Sequence, residues 1–304
     1  MSIKNVLRLF LCIGIFQSTL AQDVYQKNES VDIQNYIFAL YLNDASNEIQ
    51  GETHVTVLFK DKPVPFSLDL IQKSSEFGMQ VSEVMDNGSQ ASYTFVNDKI
   101  NIVPKNVKDS VQTYTISYQG VPERGLVIDT TKYGKRSFFG DNWPNLARHW
   151  LPSVDHPYDK ASVEFQITAP NHYENGYKLT IYHEPAPVAT KVMTIGVTEF
   201  ASRLLDMVDG IEVSAWVYPQ NRLEGFGDYA VASKVLDYFI GAIGPYSYAK
   251  LANMQAKTQW GGLENAGTIA YFENSVTGNQ TVEPLIAHEI AHQWFGNSAT
   301  EKSW

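Results

Sequence analysis

A chain of 304 residues, 44% hydrophobic and 18% charged, is neither disordered nor fibrous and has length for two domains with a sizeable core. Its formal net charge of −10 argues against nucleic acid and anionic membrane surfaces as partners.

Residues 1–21 read as a secretory leader. Lys4 and Arg8 give a basic start, Leu9 to Phe16 run apolar, and Thr19-Leu20-Ala21 offers a small-x-small cleavage site. The run is much shorter than the roughly 20 residues a membrane-spanning helix needs, so cleavage near Ala21 and export are expected, with a periplasmic or secreted product. No other stretch approaches that length, so the mature chain is expected to have no membrane span. Losing Lys4 and Arg8 takes the 23 basic residues to 21 against 33 acidic ones, a net of −12. The only cysteine, Cys12, lies in the leader, and Leu11 before it argues against lipidation. The mature chain therefore has no disulfide and relies on its core.

From about residue 30 to 217 the pattern has period two. In ASVEFQI, Val163, Phe165 and Ile167 point one way and Ser162, Glu164 and Gln166 the other; THVTVLF (53–59) and YTISY (114–118) alternate likewise. Asn87-Gly88, Gln119-Gly120 and Asn175-Gly176 read as turns between strands. Residues 22–217 are thus expected to form an antiparallel β domain of two packed sheets.

After WVYPQNRLEGFG the grammar changes. DYAVASKVLDYFIGAIG has the three- and four-residue spacing of an amphipathic helix, YAKLANMQA and TIAYFE read as strands, and Pro284 opens a helix running to about Gly296-Asn297. Residues 218–304 are expected to be mixed α/β, which makes the whole an α+β multidomain chain.

That last helix carries His288, Glu289 and His292 in an HExxH pattern. Four residues apart, the two imidazoles leave one helix face about a turn apart and can share one Zn2+. Glu289 lies roughly 100° further round, where it can serve a water as general base without occupying the metal. Two core histidines at helical spacing remain the alternative. Upstream, Gly261-Gly262 beside Glu264 and Asn265 lets the backbone approach a ligand and sets a carboxylate where it can hold a cation such as an α-amino group; a plain Gly-Gly turn is the alternative there.

GGLENAG followed by HEIAHQWFGN resembles the gluzincin aminopeptidases, the family of aminopeptidase N and leukotriene hydrolase, with Leu263 where methionine is usual. RHWLPSVDHPYDKASVEFQITAP is similar to that family's N-terminal stretch leading to the cleft, so the likeness covers about residues 30 to 304. The resemblance implies a saddle-like β domain, the first part of a thermolysin-like catalytic domain, and release of single residues from peptides with a free N-terminal amine. It implies that His288 and His292 bind zinc, Glu289 activates water, Glu264 holds the amine beside Asn265, and Gly261 and Gly262 line the substrate strand. Relatives take a second amine-recognising residue from the N-terminal domain. Counting without gaps lands on Trp143, which cannot accept from an ammonium, with Asp141 or Asn142 a small shift away. His149, Asp155 and His156 show no ligand spacing that would make a second metal site.

The family's third ligand, a glutamate, would fall at position 311, past Trp304, and Glu301 comes too early to match it. The chain is therefore expected to be an N-terminal fragment, inactive by itself, with His288 and Trp294 more exposed than in a complete enzyme. The alternative is a non-catalytic relative that acts as a binding or scaffold protein.

Overall fold

The computed structural model describes residues 23–105, 108–171 and 177–303; the expected leader and the Asn175-Gly176 turn lie outside them. Among the described residues no helix is long and apolar enough to cross a membrane.

The first part is β1 (Val31–Tyr41), β2 (Ile49–Phe59), β3 (Phe66–Asp69), β4 (Gly78–Asp86), β5 (Ser89–Gln90), β6 (Ser92–Val96), β7 (Lys99–Val103), β8 (Val111–Val121), β9 (Leu126–Thr130), β10 (Arg136–Gly140), β11 (Ala161–Pro170), β12 (Tyr177–Val188) and β13 (Gly196–Val197). Their main layer is a seven-stranded sheet ordered β12-β11-β1-β2-β8-β4-β5, flanked by three-stranded sheets β3-β7-β6 and β13-β10-β9. The strands form because apolar residues alternate: Phe38, Leu40, Val55, Val57, Ile116 and Phe165 turn to one core, while Glu164 and Gln166 stay outside it. Burial of each such side chain stabilises the fold by roughly 1.5–3 kcal/mol.

Two expectations need correcting here. The domain is not wholly antiparallel, because β1 and β11 pair in parallel, Tyr36 beside Val163 and Phe38 beside Phe165. It has one large and two small sheets rather than two. Gln119-Gly120 is not a turn either: both residues lie within β8, paired to β2 and β4. A Cβ on Gly120 would come within 2.1 Å of the Gly78 carbonyl oxygen, so the glycine permits close strand approach, not reversal. Asn87 and Gly88 do form a turn, both at positive φ.

The second part is β14 (Ala201–Val208), β15 (Ile211–Val217), α1 (Arg222–Asp228), α2 (Ala232–Ile243), β16 (Lys250–Ala256), β17 (Gly262–Leu263), β18 (Thr268–Phe272) and α3 (Glu283–His292). The strands make one sheet ordered β14-β15-β16-β18-β17, so strands from both sides of residue 218 share it. On one face Val213, Ala215, Leu251, Ile269 and Tyr271 pack beneath Leu236, Ile286 and Ile290 of the helices. The other face, with Met254, Ala256 and Ala270, packs on Phe139 from the first part. The result is an α+β chain in which an N-terminal β domain supports a sheet with helices on its far side.

A buried polar knot joins the loop between β10 and β11 to the segment after β12. Asn142 donates to the Thr190 and Met193 carbonyls at 3.1 and 2.7 Å and accepts from Trp150 Nε1 at 2.8 Å, with no surface exposed to solvent. Asn142→Leu keeps the branched shape but removes all three hydrogen bonds, so a loss of about 2–4 kcal/mol is expected in urea unfolding; an unchanged midpoint would show the knot to be idle.

Candidate active site

Helix α3 opens with Pro284 in its first turn and Glu283 beside it, both favourable there. Ile286 and Ile290, four residues apart and fully buried, anchor it to the sheet. His288 and His292 leave the opposite side, rings 4.7 Å apart and nearly perpendicular. Their Nε2 atoms stand 3.2 Å apart, and His292 Nδ1 sits 2.9 Å from the Phe295 carbonyl oxygen. That carbonyl can only accept, so Nδ1 carries the proton and the Nε2 lone pair is left for a ligand. Two nitrogens at that separation, each about 2.0–2.1 Å from one ion, subtend roughly 100°, close to a tetrahedral angle. The donor pair thus fits Zn2+. Among the described residues no third His, Cys, Asp or Glu joins it. Glu301 is held elsewhere by Lys191 at 2.5 Å.

The helix is shorter than its sequence suggests. It ends at His292, where Gln293 N bonds the Ile290 carbonyl at 3.1 Å and the chain turns back through Gly296 at φ 120°. Trp294 is 9% exposed and packs against Phe239 and Tyr246, whereas His288 lies open to solvent.

Glu289 faces edge strand β17. It is 4% exposed, and a Cβ on Gly262 would lie 2.2 Å from its Oε1 and 2.4 Å from its Cδ. The space a side chain at 262 would need is occupied by the Glu289 carboxylate. Burial, with the Glu264 carboxylate adding to it, pushes Glu289 up to about 7 while His292 opposes. A Cβ on Gly261 would meet Leu285 Cδ1 at an ordinary contact distance of 3.9 Å, and the Gly261 carbonyl accepts from Phe272 N at 3.0 Å.

The residues after the motif fix the loop that carries Glu264. Buried Gln293 donates through Nε2 to the Glu264 and Asn265 carbonyls at 3.2 and 3.3 Å, and its Oε1 accepts from Gly267 N at 3.0 Å. Asn297 Nδ2 donates to the same Glu264 carbonyl. The signal at Gln293 in the sequence, a polar residue one position beyond the second histidine, does not name its partners. The Glu264 side chain is half-buried and forms no ion pair among the described residues, and Asn265 is buried with both ends of its carboxamide unbonded among them.

Asp141 approaches this carboxylate pair from the N-terminal domain. Burial raises its pKa, Trp260, Arg124 and Gln259 lower it, and Glu264 raises it further. Its Oδ1 is buried without a hydrogen-bond partner among the described residues. Of the neighbouring options, Asn142 is consumed by its knot, and Trp143 stands edge-on to Trp260 at 6.1 Å as a wall of the cleft. His149, Asp155 and His156 turn to separate partners: Glu123 at 4.0 Å, Arg148 at 2.9 Å and Asp23 at 3.2 Å.

Residues 229–304 match the peptidase family M1 domain. Over 203 residues the chain is 27% identical to aminopeptidase N of Homo sapiens, covering 59% of this chain and 21% of that protein. With glutamyl aminopeptidase of Rattus norvegicus it shares 26% over 227 residues, 64% of this chain and 24% of that one. The chain thus spans about a fifth to a quarter of the length of these relatives. An M1 zinc metallopeptidase of Deinococcus radiodurans has the same fold, with a TM-score of 0.75 at 21% identity, over 90% of this chain and 66% of that one.

Gly262→Ala is expected to push Glu289 out of its slot and destabilise the chain by about 1–3 kcal/mol in urea; unaltered stability with Glu289 unmoved in a crystal structure would refute the contact. Because Glu289 keeps its proton to about 7 in the folded chain, against an ordinary 4.5, the unfolded state ionises first as pH rises. Metal-free stability should therefore fall between those values more steeply in the parent than in Glu289→Gln, Asp159 contributing equally to both; parallel curves would contradict the shift.

Proposed function

Because the chain belongs to the gluzincin aminopeptidase family, we propose that it carries the amine-recognising wall and two metal ligands of a zinc aminopeptidase site. Supporting this most directly is the convergence of His288 and His292 Nε2 at 3.2 Å, with buried Glu289 beside them and Glu264, without an ion pair among the described residues, at the end of β17. His288 and His292 would hold Zn2+, which when bound supplies the Lewis acid that polarises a water and the scissile carbonyl. Glu289, with affinity for a proton near neutrality, takes one from the attacking water and returns it to the leaving amine.

Glu264 pairs with the free α-ammonium of the peptide, and Asp141 offers a second carboxylate to the same cation. That charge pair fixes the register, so the first peptide bond meets the reactive centre. The Gly261-Gly262 edge accepts the peptide backbone, and Trp143 with Trp260 bounds the first side chain. We place the catalytic unit from β14 onward, since its strands pair with β16, and the leader at residues 1–21 supports export to the periplasm or beyond. The carboxylates of Glu264 and Asp141, which need no metal to hold an amine, favour a second reading, a non-catalytic relative that binds peptides by their amines.

The test is zinc titration by calorimetry and hydrolysis of aminoacyl anilides, with N-acetylated anilides as controls, in this chain and in any longer form of the protein that carries it. Zinc binding should fail in His288→Ala. Glu264→Gln should raise KM for free-amine substrates, and Glu289→Gln should cut kcat by about 100-fold or more. Amine-dependent peptide binding without cleavage in every form would favour the binding reading, and equal cleavage of N-acetylated substrates would sink the exopeptidase one.

A further inference from the structure

A second cavity lies between the two parts of the molecule, away from the histidine pair. On β16, Lys250, Ala252 and Met254 alternate with Leu251 and Asn253, so they leave the sheet on the side facing the N-terminal domain. Opposite them stand Phe165 and Ile167 of β11, with Thr180 and Tyr182 of β12. The sheets do not close here, because Ala252 is small, and they leave a crevice of about 370 Å3. None of His288, Glu289, His292 or Glu264 lines it.

Its floor is apolar, with Phe165, Ala252 and Met254 all under 5% exposed. Its wall holds a cation. Lys250 Nζ sits 3.9 Å from the centre of the Tyr182 ring and forms no ion pair among the described residues. Burial lowers its pKa, while Glu212 and Glu184, acting from beyond ion-pair distance, raise it. Glu184 is engaged by Tyr182 Oη, Ala186 N and Ala249 N at 3.1, 3.0 and 3.2 Å, and Glu199 on the crevice wall pairs with Lys135 at 2.9 Å. A second lysine, Lys178, stands at the rim without an ion pair among the described residues. The crevice thus joins an apolar floor to the Lys250 ammonium, which no carboxylate contacts among the described residues, Glu212 on the adjacent strand and Glu184 both standing beyond ion-pair distance.

We infer that this crevice binds a small amphipathic carboxylate, its alkyl or aryl body on Phe165 and Met254 and its carboxylate on Lys250. The volume suits a ligand on the order of ten heavy atoms. A single carboxylate on an apolar body matches one half-buried ammonium, which gains a charge-assisted partner in place of the Tyr182 ring alone.

Octanoate, 4-phenylbutyrate and the uncharged control 1-octanol would be titrated calorimetrically into the metal-free chain, with each variant's fold checked by thermal melting. The expected result is saturable octanoate binding, weaker by about tenfold or more in Lys250→Met and for 1-octanol, abolished by the filling variant Ala252→Phe and unchanged in His288→Ala. Absence of saturable octanoate binding in the parent, equal binding by Lys250→Met, or loss of binding in His288→Ala would overturn the assignment. Should Lys250→Met not fold, equal affinity for octanoate and 1-octanol in the parent overturns it by itself.

Discussion

The carboxylate of Glu289 occupies the space where residue 262 has no side chain, and the geometry of the whole site depends on that contact. Edge strand β17 and helix α3 approach closely only because one carries glycine and the other a long acid. The contact dries the carboxylate on one side, which raises its proton affinity, and it fixes the height of β17 beside the histidines. Gln293 and Asn297 then tie the Glu264 backbone to the helix. Glu264 and the two histidines are thus tied into one unit, built from a strand end, a helix and the turn after it.

Electrostatically the cleft is prepared for a cation before any arrives. Burial and the Glu264 carboxylate raise the proton affinity of both Glu289 and Asp141, and among the described residues Glu264 has no ion-pair partner. Like charges crowded in a partly dry space are costly. In the proposed reading an α-ammonium would relieve that cost and a blocked amine would not, so selectivity for free N-termini would follow from repulsion among the protein's own groups.

Much of this was legible in the chain, and the residues show why. His288, Glu289 and His292 lie within one helical turn or so, where spacing alone fixes relative direction. Alternation in ASVEFQI marked β11 because strand period is a local property. Gln119-Gly120 misled because a glycine's composition does not tell whether it reverses the chain or admits a neighbouring backbone, and only Gly78 across β8 decides that. The expected end of α3 at Gly296-Asn297 lies past its observed end at His292, because a Gly-Asn pair marks a reversal without marking where the helical hydrogen bonds stop.

The sequence by itself determined the α+β order, the strand faces and the donor set on α3, all set by periodicities of a few residues. The tertiary structure alone decided the parallel pairing of β1 with β11, the arrival of Asp141 at a cleft formed mainly by residues 260–297, the partners of Gln293 and the open crevice at Lys250. Each of these joins segments far apart in the chain. Such contacts are chosen by which surfaces bury together, and no local pattern of side chains encodes that choice.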